Sequence, residues 1–169
     1  MEFEFIIRIV VAAVLGGIIG LERDFRAKDA GFRTNFLVAL GSALFMVLSA
    51  HGFDTVMGDG FDERLRLDVS RIAAQVVTGI GFIGAGAIII RREAVTGLTT
   101  AACVWVVAAI GLACGVGMYL LAAVTTFLVL LGLEGFNYFL NHIRRRNSKK
   151  KRKNEESMSI EGEKHKENK

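Results

Sequence analysis

The stretch Asp68–Ile90, DVSRIAAQVVTGIGFIGAGAIII, limits what this chain can become. At roughly 20 residues it is long enough to cross a bilayer as a helix, with charge only near its start. Asp68, Arg71, Gln75 and Gly79 fall three or four residues apart and therefore share one helix face. A polar stripe in lipid meets no water, so it must face protein or a wet cavity. The spacing predicts the central helix of a small helical membrane protein.

Composition points the same way. Of 169 residues, 52% are hydrophobic, and the mean hydropathy is +0.43. A soluble domain of this size would have to expose long apolar runs. The net charge of +4 is unevenly spread, since Arg144–Lys153 holds eight of the 21 lysines and arginines. Beside a membrane span such a run marks the cytoplasmic side more often than a nucleic-acid contact. Nothing else in the chain reads bases, so no nucleic-acid partner is expected. Proline is absent, and any kink must come from glycine.

Five apolar segments follow from the pattern: residues 5–21, 35–53, 68–90, 98–115 and 118–140. The start, MEFEF, is acidic, which reads as a retained span and not a cleaved signal. Arg8 sits one turn inside, within reach of Glu2 or Glu4 by snorkelling outward. Gly115-Val116-Gly117 is the natural turn between the last two spans. The Glu22–Thr34 loop, the Arg91–Gly97 turn and the tail are all basic, and five crossings put them on one side. The expected architecture is an all-α bundle of five transmembrane helices, N-terminus outside and C-terminus cytoplasmic. Residues 1–143 form the membrane domain, and residues 144–169 a basic, disordered tail.

Ala12, Gly16 and Gly20 repeat every four residues, a small-residue groove for a neighbouring helix. Gly79, Gly81, Gly84 and Gly86, with Gly111 and Gly115, suit the same role. Gly79–Gly84 also matches G-x-G-x-x-G, but it lies inside an apolar run with no acid near Trp105, which rules out a dinucleotide site.

Two polar constellations are candidate sites. Asp68, Arg71 and Gln75, extended by Thr78, form either an ion pair plus amide that locks helices or a polar entry site. At the inner face Glu22, Arg23, Arg33, Thr99, Thr100 and Glu134 form either helix caps and charge neutralisation or a buried network. Magnesium takes oxygen ligands and keeps several waters. One chain offers Asp68 near one end and Glu134 near the other, with little between, so a single protomer makes a poor magnesium channel. A ring of Asp68 residues in a homo-oligomer is the more credible cation path. The pattern contains no nucleophile–base pair, phosphate loop or zinc spacing, so no enzyme is expected. No cofactor or metal site is assigned, magnesium being conceivable only as ligand or transported ion.

Three ordered blocks carry a family resemblance: LGGIIGLERDFRAKDAGFRTNFLVALGSALF, DVSRIAAQVVTGIGFIGAGAII and GLTTAACVWVVAAIGLACGVG. Together they resemble the MgtC/SapB family of bacterial inner-membrane proteins, over about Ile7–Leu140. The resemblance implies a five-helix transmembrane domain linked to magnesium limitation and, in some pathogens, to survival inside host cells. It also implies action through protein partners, including the F-type ATP synthase, or, alternatively, magnesium transport. By motif it carries over Glu22, Arg23, Lys28, Gly31, Arg33 and Thr34. In the second block it carries over Asp68, Arg71, Gln75, Gly79, Gly81, Gly84 and Gly86. In the third these are Gly97, Leu98, Thr99, Thr100, Ala101, Ala102 and Trp105. Longer members have a folded soluble domain after the last helix, where this chain has its charged tail. The short form, membrane domain only, is the closer comparison.

Overall fold

The structure, a computed structural model, describes residues 2–52, 70–92 and 94–135. Over these residues it is all-helical apart from one short hairpin. Five helices run in order among the described residues: α1 (Glu2–Phe25), α2 (Phe32–His51), α3 (Ser70–Gly86), α4 (Leu98–Val116) and α5 (Tyr119–Gly135). A two-stranded hairpin, β1 (Ile89–Arg91) and β2 (Ala94–Thr96), joins α3 to α4. Of these helices α1, α2 and α4 are long and apolar enough to cross a membrane, and α3 and α5 are shorter. The chain divides into two compact units, Met1–Leu130 and Leu131–Lys169. The first is described below; of the second, only residues 131–135 are described. The expected acidic loop over 54–67 and the basic tail lie outside the described residues.

Glycine decides how closely the helices approach. A side chain at Gly16 would stand 2.7 Å from the Asn35 carbonyl oxygen, and one at Gly20 would stand 2.6 Å from Phe32 Cα. These two positions of α1 therefore run antiparallel along the backbone of α2. From α4, Gly111 meets the Ala39 carbonyl and Ser42 Cβ, while Gly115 meets Met46 and the Ala43 carbonyl. That register makes α2 and α4 parallel. The buried core between them is correspondingly small-sided: Ala12, Ile19, Ala39, Ala43, Val107, Ile110 and Cys114. Helix α3 joins through a second cluster, in which Ile80 packs with Val104 and Ala108 beside Val38 and Val76. Cys103 and Cys114 are both buried and unbridged.

Three boundaries differ from the sequence reading. Helix α1 continues through Glu22 and Arg23 to Phe25, and α2 begins at Phe32, so the loop shrinks to residues 26–31. The cause is a cap supplied across the loop: Asp24 Oδ2 accepts the Phe32 backbone N–H at 2.8 Å, where Gly31 has no side chain to do so. Helix α3 stops at Gly86 and not at Ile90. There the Ala87 and Ile88 amides bond three residues back, and the β-branched run then pairs as Ile89 with Thr96 and Ile90 with Val95. The expected basic turn at 91–97 thus holds the last residue of β1 and the whole of β2. Gly97 closes it at φ 87°, pressed against the Ala87 carbonyl, where a side chain would not fit.

Two helices end in the same cap with different residues. After α4, Gly117 at φ 95° sends its N–H to Cys114 O, and Met118 sends its own to Ala113 O. After α1, Ala27 at φ 50° bonds Asp24 O, and Lys28 bonds Arg23 O. Both are Schellman caps, but the second puts a Cβ into the left-handed region. Ala27→Gly is therefore expected to raise stability by about 1 kcal/mol and Gly117→Ala to lower it by a similar amount. Thermal unfolding of both variants in detergent checks the pair of signs.

Candidate functional site

The sequence-predicted site residues that are described fall in two places of opposite character. The first is the end of the unit where α1 finishes and α2 and α4 begin. Glu22 and Arg23, sequence neighbours on α1, are only 9% and 3% exposed. Arg23 donates from Nε to Glu22 Oε2 at 2.6 Å and from Nη2 to Oε1 at 2.9 Å, a two-pronged pair. Arg26 adds a longer contact, 3.7 Å from its Nε to Glu22 Oε1. Thr100 on α4 is buried as well, whereas Arg33 and Thr99 are exposed. Glu134 belongs to the second unit. The structure thus brings Glu22 to Arg23 and leaves Arg33 and Thr99 facing outward.

Sequence reasoning missed Asn35, which lies fully buried at this end. Its Nδ2 donates to the Ala30 and Gly31 carbonyls, tying the loop to α2, while Oδ1 is buried with no hydrogen-bond partner among the described residues. Ala30 takes φ 57°, so the side-chain amide holds a strained loop residue in place. An asparagine one turn after a glycine, at the mouth of an apolar run, is the signal the sequence offers for it. At the opposite end Arg8 does pair with Glu4, but it also donates from Nη1 to the Gly115 carbonyl at 3.0 Å. A positive side chain there satisfies an otherwise orphaned C-terminal carbonyl of α4.

The second place is the face of α3. Arg71, Gln75 and Thr78 are all exposed on the unit's surface, and Asp68 lies outside the described residues. The Thr78 hydroxyl returns to the Ala74 carbonyl at 3.0 Å. Around them Gly79, Gly81 and Gly86 have no described atom within 4 Å of where a side chain would begin, and Gly84 alone makes ordinary contact, 3.5 Å from the Ala101 carbonyl. Between α3 and α2 runs an apolar groove of about 640 Å³, with Gln75 and Ser42 as its polar lining. Among the described residues no three His, Cys, Asp or Glu side chains gather as metal ligands would.

The buried pair is a structural commitment, because removing one partner strands the other charge. Glu22→Gln or Arg23→Met alone is expected to cost about 3–5 kcal/mol, and replacing both by apolar residues of similar volume markedly less. Unfolding of the two single variants and the double variant measures the difference.

The MgtC family model matches residues 9–142. YhiD of Escherichia coli (strain K12), named a candidate magnesium transporter, is 53% identical over 137 residues, covering 81% of this chain and 62% of that protein. The protein MgtC of Brucella abortus (strain 2308) is 47% identical over 119 residues, covering 70% of this chain and 45% of its own length. An uncharacterised protein of Synechocystis sp. is 39% identical over 143 residues, covering 82% and 56% respectively. The chain therefore spans about half to three-fifths of the length of these relatives. No solved structure matches it. With most of its length inside the matching model, this chain belongs to the MgtC family.

Proposed function

We propose that this chain is a multi-pass protein of the bacterial inner membrane that serves adaptation to low magnesium through protein contacts and without catalysis. Family membership and the name given to the Escherichia coli relative support the magnesium link. Three helices of membrane-crossing length support the location. In this reading all five helices cross, and the loop over 26–31 and the hairpin face the cytoplasm with the basic tail. The positive charge of those segments supports that orientation.

One observation carries the preference for contacts. Arg71, Gln75 and Thr78 are all exposed on α3, with Gln75 at the lip of the groove beside α2 and none of the three enclosed within the unit. A polar pathway through one protomer would put such groups inward; an outward stripe in lipid needs another protein to satisfy it. The F-type ATP synthase, named by the family resemblance, is the first partner to test by co-purification. In a strain lacking the native gene, Arg71→Gln together with Gln75→Leu is expected to abolish growth in low magnesium. Protein level and thermal stability should stay unchanged. Full growth with that variant, or lost growth explained by lost stability, refutes the role of this face.

The name of the Escherichia coli relative favours a second reading, an oligomeric transporter of magnesium or another cation with Asp68 in the path. Purified protein in liposomes loaded with a magnesium indicator separates the two readings. The transporter requires flux that Asp68→Asn removes; the contact reading expects none at any gradient.

A further inference from the structure

The groove between α2 and α3 lies where both helices rest on α4 and meet each other only at its floor, Val38 beside Ile80 and Val76. Ala39 and Ser42 of α2 meet Gly111, while Ile80 and Val76 of α3 meet Val104 and Ala108. What is left open is about 640 Å³, walled by residues that include Gly41, Ser42 and Phe45 on one side and Gln75, Gly79 and Phe82 on the other. Helix interiors pack closely, so a space this size adjoining the lipid is filled by something.

We propose that it is filled by α3 of a second copy of this chain, related by a two-fold axis near Gln75. This rests on the functional reading above and adds a self-contact on the same face of α3. Four features converge on a helix, and on this one. Gly41 and Gly79 stand on opposite walls with no described atom within 4 Å of either missing side chain, which leaves room for an approaching backbone. Ser42 is 3% exposed, lines the groove, and makes no hydrogen bond among the described residues. Gln75 is exposed at the lip, also without a hydrogen bond among the described residues. Phe82, 84% exposed, lies seven residues after Gln75 and so on the same face, a large apolar knob beside an apolar hole.

The amide of Gln75 settles the choice of occupant. It carries both donors and an acceptor, so two copies facing each other across a two-fold axis satisfy one another in an isologous contact. A lipid chain would leave the amide without a partner in hydrocarbon. Helix α3 also brings its own filler, since the face that borders the groove presents Phe82 to the groove of the other copy.

Two experiments on the full chain in native membranes test this. First, Gln75→Cys in a background with Cys103 and Cys114 replaced by alanine should give a disulfide-linked dimer on mild oxidation. The yield should be at least fivefold above that of Leu128→Cys on the exposed face of α5. Second, differently tagged copies with Gln75 intact should co-purify, and Gly79→Leu should cut that recovery about tenfold without changing protein level. Equal crosslinking at both positions, linkage to a different protein, or co-purification untouched by Gly79→Leu overturns the interface. A carbonate wash of the same membranes separates the two proposals. Protein retained in the membrane but never dimeric sinks the interface alone, whereas protein released by the wash sinks the membrane reading with it.

Discussion

The approach of α2 to two neighbours at backbone distance is the constraint on which the unit depends. In lipid, apolar side chains gain nothing by leaving the solvent, so helices associate through close packing and hydrogen bonds. Glycine pairs on α1 and α4, at Gly16 and Gly20 and at Gly111 and Gly115, set both flanks of α2 within side-chain-free contact. Because α2 is antiparallel to α1 and parallel to α4, the ends of the three helices coincide. That coincidence gathers Glu22, Arg23, Asn35 and Thr100 at one end and Arg8 with the Gly115 carbonyl at the other.

The two ends then solve the problem of polar groups in different ways. At the Arg8 end a charged side chain serves the final carbonyls of α4 while meeting Glu4 near the surface. At the Glu22 end the ion pair is buried, and the backbone is completed by side chains from elsewhere, Asp24 for Phe32 and Asn35 for Ala30 and Gly31. The second arrangement is the stiffer one, since each partner left alone would be a buried charge or an orphaned carbonyl.

How much of this is legible in the sequence depends on the range of the interaction. Repeats of small residues at four-residue spacing are local, so Ala12, Gly16 and Gly20 announce a packing face from their spacing alone. So does the Gly115–Gly117 turn. The cap that Asp24 gives to Phe32 spans eight residues and follows no period, so hydropathy ends α1 too early and starts α2 too late. Ile88–Ile90 resembles the end of an apolar helix because three residues are too few to display a strand's alternation. The stripe on α3 is legible as a stripe, but periodicity fixes only which residues share a face. Which way that face turns is set by Ile80 and Val76 finding Val104 and Ala108.

Glycine marks the difference between the helix faces packed within the unit and the exposed face of α3. In a helix interior glycine is about 1 kcal/mol less favourable than alanine. At Gly16, Gly20, Gly111 and Gly115 that cost is offset within the chain, because a methyl group would collide with the adjacent helix. At Gly79, Gly81 and Gly86 no described residue comes near, so within one copy alanine would serve the helix better. In the dimer proposed above, that compensation comes from the second copy, which approaches Gly79 on the face where Gln75 too finds no hydrogen bond among the described residues. On that proposal, the side of α3 that carries Gly79 and Gln75 is completed by the same helix of the second copy.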